Sequence, residues 1–360
     1  MVKSIIANSI RRYLQVGVRA RRLLFRGSLA IFALTVGGLV IWTITSPMIE
    51  ISHFSETYPR RTEDLTANIV GRHHRLSWPP VWQLNGGPAE PVRQGWARAK
   101  WPEFLIEIPV DKLKPGRNEV VIETSDWMGR SQRLIRSFNY DDRRLSLPLK
   151  IDWSVNPLEV QDGHWEKVKR KKGTYVRPKP GFESYDRIAL ATGAFPINRR
   201  IETTVVFRSH ILDRIRAGAL EFGFGILSLW GGHPGVMNDE PREGWSFSLA
   251  WYWSKPGGAG NEISYRNDKS KPVWVGSYKD VEIAPDREYN VVIEVRRYAG
   301  GSNPYIQQRL KWWKAGNTEP ENWLVTEDRE GAQLPDGEYA VGLLAYNCLV
   351  EFGPIFIAPL

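Results

Sequence analysis

The sequence predicts an all-β chain set behind one N-terminal membrane-spanning helix. Three observations carry that expectation. Short stretches that alternate apolar and polar residues recur along most of the chain, as half-buried strands do. Turn chemistry separates them: the chain holds 32 glycines and 24 prolines, and 12% of its residues are aromatic. The run from Gly27 to Ile49, "GSLAIFALTVGGLVIWTITSPMI", contains no charged residue. At 360 residues the chain exceeds one ordinary domain, and 42% hydrophobic content is enough for a real core.

The uncharged run comes first in chain order. As a helix, residues 27–49 measure about 34 Å, enough to cross a hydrocarbon core of about 30 Å. Trp42 falls near the outer end, where an indole favours the interface, and Pro47 falls where the span should end. A long basic segment before the run, and no small-x-small cleavage site after it, argue for an uncleaved anchor rather than a signal peptide. Most of the +9 net charge lies here: Lys3, Arg11, Arg12, Arg19, Arg21, Arg22 and Arg26 occur among the first 28 residues without one acid. These cations keep residues 1–26 cytoplasmic and send the rest across. The expected product is a single-pass protein of the plasma (inner) membrane with periplasmic or extracellular C-terminal domains. "SIIANSIRRYLQVGVRARRLLF" can also lie on anionic lipid as an amphipathic helix, making membrane lipid a partner of residues 1–49.

Other classes are set aside by composition. Cys348 is the only cysteine, so an internal disulfide or a cysteine metal cluster is impossible, and it reads as a small buried hydrophobe. The absence of any Asn-X-Ser/Thr sequon fits a prokaryotic source. The second basic run, Lys167 to Lys172, precedes Gly173 and reads as a solvated hairpin tip; no nucleic-acid partner is expected.

Residues 50–63 read as a polar connector. From 64 to 145 the strands are "LTANIVG", "PVWQLNGG", "FLIEIPV", "NEVVIETSDWMG" and "RLIRSFNY". Alternation puts Val120, Ile122 and Thr124 on one face and Glu119, Val121 and Glu123 on the other. The pattern "VWQLNGG…FLIEIPVDKLKPGRNEVVIETSDWMG" resembles an immunoglobulin-like or fibronectin-like module, which implies a small antiparallel sandwich serving as a spacer.

From 146 to 360 the candidates are "IETTVVFRSH", "LEFGFGILSLW", "WSFSLAWYW", "EISYRN", "YNVVIEVRRY", "IQQRLKWWK", "YAVGLLAY" and "LVEFGPIFIAPL", with no convincing amphipathic helix. So many strands imply a large sandwich, most simply a jelly roll. "VQDGHW", "YDRIALATGAFP", "WGGH…GWSFSLAWYW", "LKWWKAGNTEPENW" and "YNCLVEFGPIFIAPL" resemble the concanavalin A-like lectin/glucanase class, including laminin G-type modules. The resemblance implies that the last segment, Cys348 to Pro359, pairs with the first strand. It also implies that a concave sheet holds glycan.

Four of the sixteen tryptophans fall between Trp230 and Trp253. In "WSFSLAWYW" Trp245, Phe247, Leu249, Trp251 and Trp253 share one parity, and Ser246, Ser248, Ala250 and Tyr252 the other. A row of large apolar groups belongs inside a sandwich, which assigns the small residues to an open trough. Glu294 and Arg296 alternate against core residues in one strand, and Arg309, Lys311 and Trp313 do so in another. Together with Ser246, Ser248, Tyr252, Tyr265 and Asn267 they form the expected ligand surface: planar hydrogen-bonding groups and an aromatic plate suit a sugar ring. A glycan, from cell wall or exopolysaccharide, is the expected partner. Packing against envelope proteins is the structural alternative.

Catalysis has weaker footing. Glycosidases of the resembled class place two carboxylates two or four residues apart on one strand, and none of the candidate strands quoted from 146 to 360 carries such a pair; Asp239, Glu240 and Glu243 lie in a loop. A lyase needs a base and a group to neutralise a uronate, for which His233, Tyr252 and Arg266 are the candidates. "FSLAWYW…ISYRND" resembles jelly-roll lyases over a short stretch. No P-loop, dinucleotide fingerprint or metal-spaced histidine pair is present. No cofactor is expected, although Asn238, Asp239 and Glu240 could supply oxygens to Ca²⁺.

Overall fold

The alternating stretches become strands close to where periodicity places them. The computed structural model describes residues 46–360 apart from 63, 95–98, 100, 182–185, 211–220, 234–241, 243, 256–257, 267–272, 276–282, 300–303 and 331–336. The span expected at Gly27–Ile49 lies almost wholly outside these residues; among the described residues no helix is long and apolar enough to cross a membrane.

Among the described residues the first sandwich uses eight strands: β1 (Ile49–His53), β2 (Thr57–Pro59), β3 (Ala67–His73), β4 (Val81–Leu84), β5 (Glu90–Pro91), β6 (Glu103–Ile108), β7 (Gly116–Ser125) and β8 (Ser131–Asp141). One sheet has the order β1-β3-β6 and the other β2-β8-β7-β4-β5, where β2 runs parallel to β8. Val120 and Ile122 point into a core with Ile69, Trp82, Phe104, Ile106 and Phe138, the parity read from sequence. One boundary is corrected: residues 50–63 are not a bare connector, since β1 and β2 belong to the two sheets. Their signal is short because Glu50, Ser52 and Thr57 dilute the apolar alternation.

Sixteen strands follow among the described residues. They are β9 (Leu149–Ile151), β10 (Glu159–Asp162), β11 (Trp165–Arg170), β12 (Gly173–Pro178), β13 (Arg187–Leu190), β14 (Arg199–His210), β15 (Phe222–Trp230) and β16 (Phe247–Lys255). The rest are β17 (Gly258–Arg266), β18 (Val273–Val275), β19 (Glu288–Tyr298), β20 (Tyr305–Lys314), β21 (Val325–Glu330), β22 (Ala340–Tyr346), β23 (Cys348–Phe352) and β24 (Ile355–Pro359). A seven-stranded sheet runs β10-β13-β22-β15-β16-β17-β18, and a nine-stranded sheet runs β11-β12-β23-β14-β19-β20-β21 with β24 and β9 attached. Ile355 pairs with Ile151, so the C-terminal segment does return to the first strand of this sandwich. Gly353 and Pro354 divide that segment into two strands.

Parity in β16 is opposite to the expectation. Ala250 and Tyr252 face the core between the two sheets, whereas Leu249 and Trp251 lie in a separate apolar cluster on the outer side of the seven-stranded sheet, with Trp245 and Trp230. Alternation reports which residues share a face, not which face is inside. Here both sides are covered, so no polar row marks the solvent. The inner volume holds Phe222, Phe224 and Trp312, with Tyr252 packed on the two phenylalanines and the smaller Ser248 and Ala250 filling the rest of the row. On the outer side Trp251 and Trp253 lie over Gly223, where an added Cβ would stand 2.7 and 2.8 Å from their rings.

The two sandwiches join along a buried polar seam. Arg61, between β2 and β3, reaches both oxygens of Glu159 on β10 at 2.5 Å. Gln161 donates to Thr66 O at 3.0 Å, and Asn68 donates to Gln161 O at 3.1 Å. Val70 and Leu105 from the first sandwich enter the core of the second. Residues Ile49–Leu360 accordingly make one compact unit.

Candidate functional site

The outer face of the nine-stranded sheet is assembled by three neighbouring strands whose periodicity is plain. In β19, Val291, Ile293 and Val295 point inward, as do Ile306, Leu310 and Trp312 in β20 and Ile201, Val205 and Phe207 in β14. The intervening residues are left outside, in direct register: Arg200 opposite Glu294 opposite Arg309, and Thr204 opposite Asn290 opposite Trp313.

Charges tie this face together. Glu294 accepts from Arg200 at 3.0 Å and from Arg309, with Arg296 3.7 Å away. Burial pushes the Glu294 carboxyl up, but the hydrogen bonds from Arg309 and Arg200 outweigh it and hold the group below the usual carboxylate range. Arg200 also bonds Glu202 at 2.6 Å and Glu319 at 3.0 Å, and Lys311 bonds Glu319 at 2.8 Å. The indole of Trp323 lies under Arg309 and Lys311, 4.5 and 4.3 Å from their charged groups. Glu294 and Arg309 thus pair with each other and Lys311 with Glu319, forming a fixed floor.

Beside this network opens a cleft of about 560 Å³, lined by Trp313, Asn290, Val292, Glu202, Thr204, Glu288, Tyr175, Lys172 and Phe356. The Trp313 indole is held by its N–H to Asn317 O at 3.1 Å. Glu288 takes hydrogen bonds from Lys172 and from the Tyr175 hydroxyl. Burial first, then the Glu288 contact, pushes the Tyr175 phenol up to about 12, keeping it a donor at neutral pH. An aromatic wall, an amide, hydroxyls and a fixed carboxylate in a cleft of this size can hold a polyhydroxylated ring.

The sequence-predicted site residues divide. Glu294, Arg296, Arg309, Lys311 and Trp313 do share one face, with Trp313 in the cleft. Ser246, Ser248, Tyr252 and Tyr265 are corrected: all are buried and none lines a trough. Ser246 Oγ donates to Gly232 O at 2.8 Å, Tyr252 packs 5.5 Å from Phe224, and Tyr265 belongs to the inner core. His233 is also buried rather than at a lip; its Nδ1 is 2.5 Å from Gly244 O and its ring meets Trp230 edge-on. The expected lyase set is thereby split, since His233 and Tyr252 are enclosed. Asn267, the Arg266 side chain and the Asn238-Asp239-Glu240 Ca²⁺ candidate lie outside the described residues. Among the described residues no group of three or more His, Cys, Asp or Glu could hold a metal ion. The Lys167–Lys172 run is a hairpin tip, yet not wholly solvated: Arg170 pairs with buried Glu351.

Sequence reasoning missed Tyr175, Thr204, Glu288 and Phe356 in the cleft. Thr204 and Phe356 had a usable signal, each being an outward position in an alternating run. Tyr175 had none, because its strand is short and enters the sheet only through one pair, Val176 with Phe352.

No protein-family model matches the chain, and no curated protein does. Among solved structures the chain is similar to the carbohydrate binding module CBM66 from Bacillus subtilis, at 9% identity over 56% of this chain and 94% of that one, with a TM-score of 0.32. It is similar to the exoplasmic/lumenal domain of VIP36 in its Ca2+-bound form, at 13% identity over 58% of this chain and 86% of that one, TM-score 0.37. A third, described as carbohydrate-binding modules from the beta-sandwich superfamily, has 10% identity over 88% of this chain and 97% of that one, TM-score 0.20. At these scores the likeness carries no argument; the architecture rests on strand pairing and the site on its side chains.

Proposed function

We propose that the chain is a membrane-anchored, exported carbohydrate-binding protein of the inner membrane. Its second sandwich, a concanavalin A-like jelly roll, takes a cell-wall or exopolysaccharide glycan in the cleft beside Trp313. The first, an immunoglobulin-like sandwich, joins that module to the anchor at Gly27–Ile49, with the amino end cytoplasmic. The single observation supporting the binding reading is the pairing of Trp313 with Asn290 and Thr204 across three strands in a cleft of about 560 Å³. A pyranose presents an apolar face to an indole and hydroxyls to amide and carboxylate groups, which is the combination this cleft offers.

The test is affinity gel electrophoresis of the full chain in detergent over a panel of cell-wall and exopolysaccharide glycans. Retardation by at least one glycan, reduced about tenfold in Trp313→Ala, is the expected result. A folded chain that no polysaccharide retards overturns the reading, as does retardation that Trp313→Ala leaves unchanged.

A further inference from the structure

One end of the first sandwich carries an unusual surface. Among the described residues, the tryptophans that stand well out into solvent are Trp127 (71% exposed), Trp78 (61%) and Trp101 (52%), accompanied by Met128 (50%) and Leu76 (48%). The β-pairing puts them together. Val81 is opposite Glu123, so the loop entering β4 lies beside the β7–β8 turn, and Trp78 N–H donates to Ser125 O at 2.8 Å. Trp101 meets His73 edge-on at the end of β3, with the Arg75 guanidinium 5.6 Å from its ring.

The chain enters at this same end. Ile49, where the uncharged run of the sequence finishes, pairs with His73, and its N–H donates to Gln132 Oε1 at 2.9 Å, just past the Trp127–Met128 turn. Arg72 and Arg75 are exposed alongside. Exposed loop-tip indoles edged by guanidinium groups are the composition that settles at a lipid headgroup layer, the rings in the interface and the cations against phosphate. A contiguous apolar surface of this kind is otherwise a liability on an exported protein.

We propose that this rim is a bilayer-docking surface: Trp78, Trp101 and Trp127 insert into the anionic headgroup layer of the membrane that carries the chain. The tips hold the sandwich against the lipid instead of leaving it to swing on a tether. The inference rests partly on the anchor reading, because it uses Ile49 as the exit point of the span.

The test labels the full chain, reconstituted in phosphatidylcholine/phosphatidylglycerol vesicles, with an environment-sensitive fluorophore at Trp127→Cys or at Asp142→Cys. Native Cys348 is buried. Asp142 lies just past the far end of β8, an eleven-residue strand of about 36 Å at 3.3 Å per residue. Lipids carrying a shallow spin label are expected to quench the label at 127 at least threefold more than that at 142. Equal quenching in a chain that alkaline carbonate fails to strip from the vesicles overturns the proposal while the anchor stands. If carbonate strips the chain, the anchor reading falls. Vesicle co-sedimentation at neutral pH then decides: loss in the Trp78→Ser/Trp101→Ser/Trp127→Ser variant upholds the rim, and no change overturns it. An emission shift at 127 that rises with protein concentration without lipid marks a second copy on the rim and also overturns it.

Discussion

Ser248 on β16 donates its hydroxyl to Gln308 Oε1 on β20, 2.6 Å away, across the interior of the second sandwich. The bond fixes the small-residue row of β16 against the opposite sheet, and it is fully buried at both ends. Ser228 approaches the same oxygen at 3.3 Å, so removing one hydroxyl does not empty the site. Ser248→Ala is expected to lower unfolding free energy by about 1–2 kcal/mol, the cost of a weakened buried acceptor. Urea denaturation measures it; an unchanged midpoint would mean that the bond does not orient the strand.

The outer side of β16 makes the complementary prediction. Trp251 and Trp253 lie 4.5 Å apart by ring centroid, and Trp253 stacks on Tyr346 at 5.4 Å. Gly223 leaves the space that these rings fill. Gly223→Ala is expected to destabilise by about 1–3 kcal/mol through overpacking. A Trp253→Leu background should recover part of that loss, which a thermal double-mutant cycle reads directly. Additive effects would place the clash elsewhere.

Much of the fold was legible because most strands have one covered and one open side. β7 shows it: Val120 and Ile122 are buried, while Glu119 and Glu123 face outward. The same logic located Glu294, Arg309 and Trp313 on one surface. It failed at β16, where Leu249, Ala250, Trp251 and Tyr252 are all buried and size was the only guide to direction. Size misled, since the glycines that receive the indoles sit on a neighbouring strand. It also failed at β10, whose Glu159 and Gln161 are buried because the other sandwich satisfies them, while Asp162 is met by Arg187 on β13 at 3.1 Å. A partner surface is not written in local periodicity.

That polar seam predicts cooperative unfolding. Arg61 is enclosed and its charge is met by Glu159. Replacing the carboxylate leaves a buried guanidinium without its counter-charge, for which about 3–5 kcal/mol is typical. Wild-type chain should show a single calorimetric transition for residues Ile49–Leu360, and Glu159→Gln should lower it and split it in two. Two separate transitions in the wild type would show that the sandwiches are independent despite the shared core.

Acid should loosen the same seam from its other side, through His53. Its Nε2 lies 3.3 Å from the Trp165 amide, which donates to it, and its ring is 5.6 Å from that of His164. Burial is the largest influence, followed by the nearby charges of His164 and Lys179, and together they lower its pKa from 6.5 to about 4. A protonated ring could not accept from Trp165 N–H. Because the unfolded chain binds this proton more readily, the stabilisation is complete above about pH 6.5 and is lost progressively as pH falls toward 4. Each pH unit in that interval is worth about 1.4 kcal/mol, so the full loss is on the order of 3 kcal/mol. Carboxylates such as Glu294 and Glu351, held below their ordinary value of 4.5, contribute their own loss only below that pH. The interval from pH 6.5 to 5 therefore excludes these carboxylates and leaves the histidines lowered by burial, His53 and His73. His53→Gln keeps an acceptor near Trp165 but does not titrate, so its urea midpoint should decline less steeply over that interval than the wild-type midpoint, the remaining slope belonging to His73. Parallel slopes for the two proteins would exclude His53 as the acid-sensitive group.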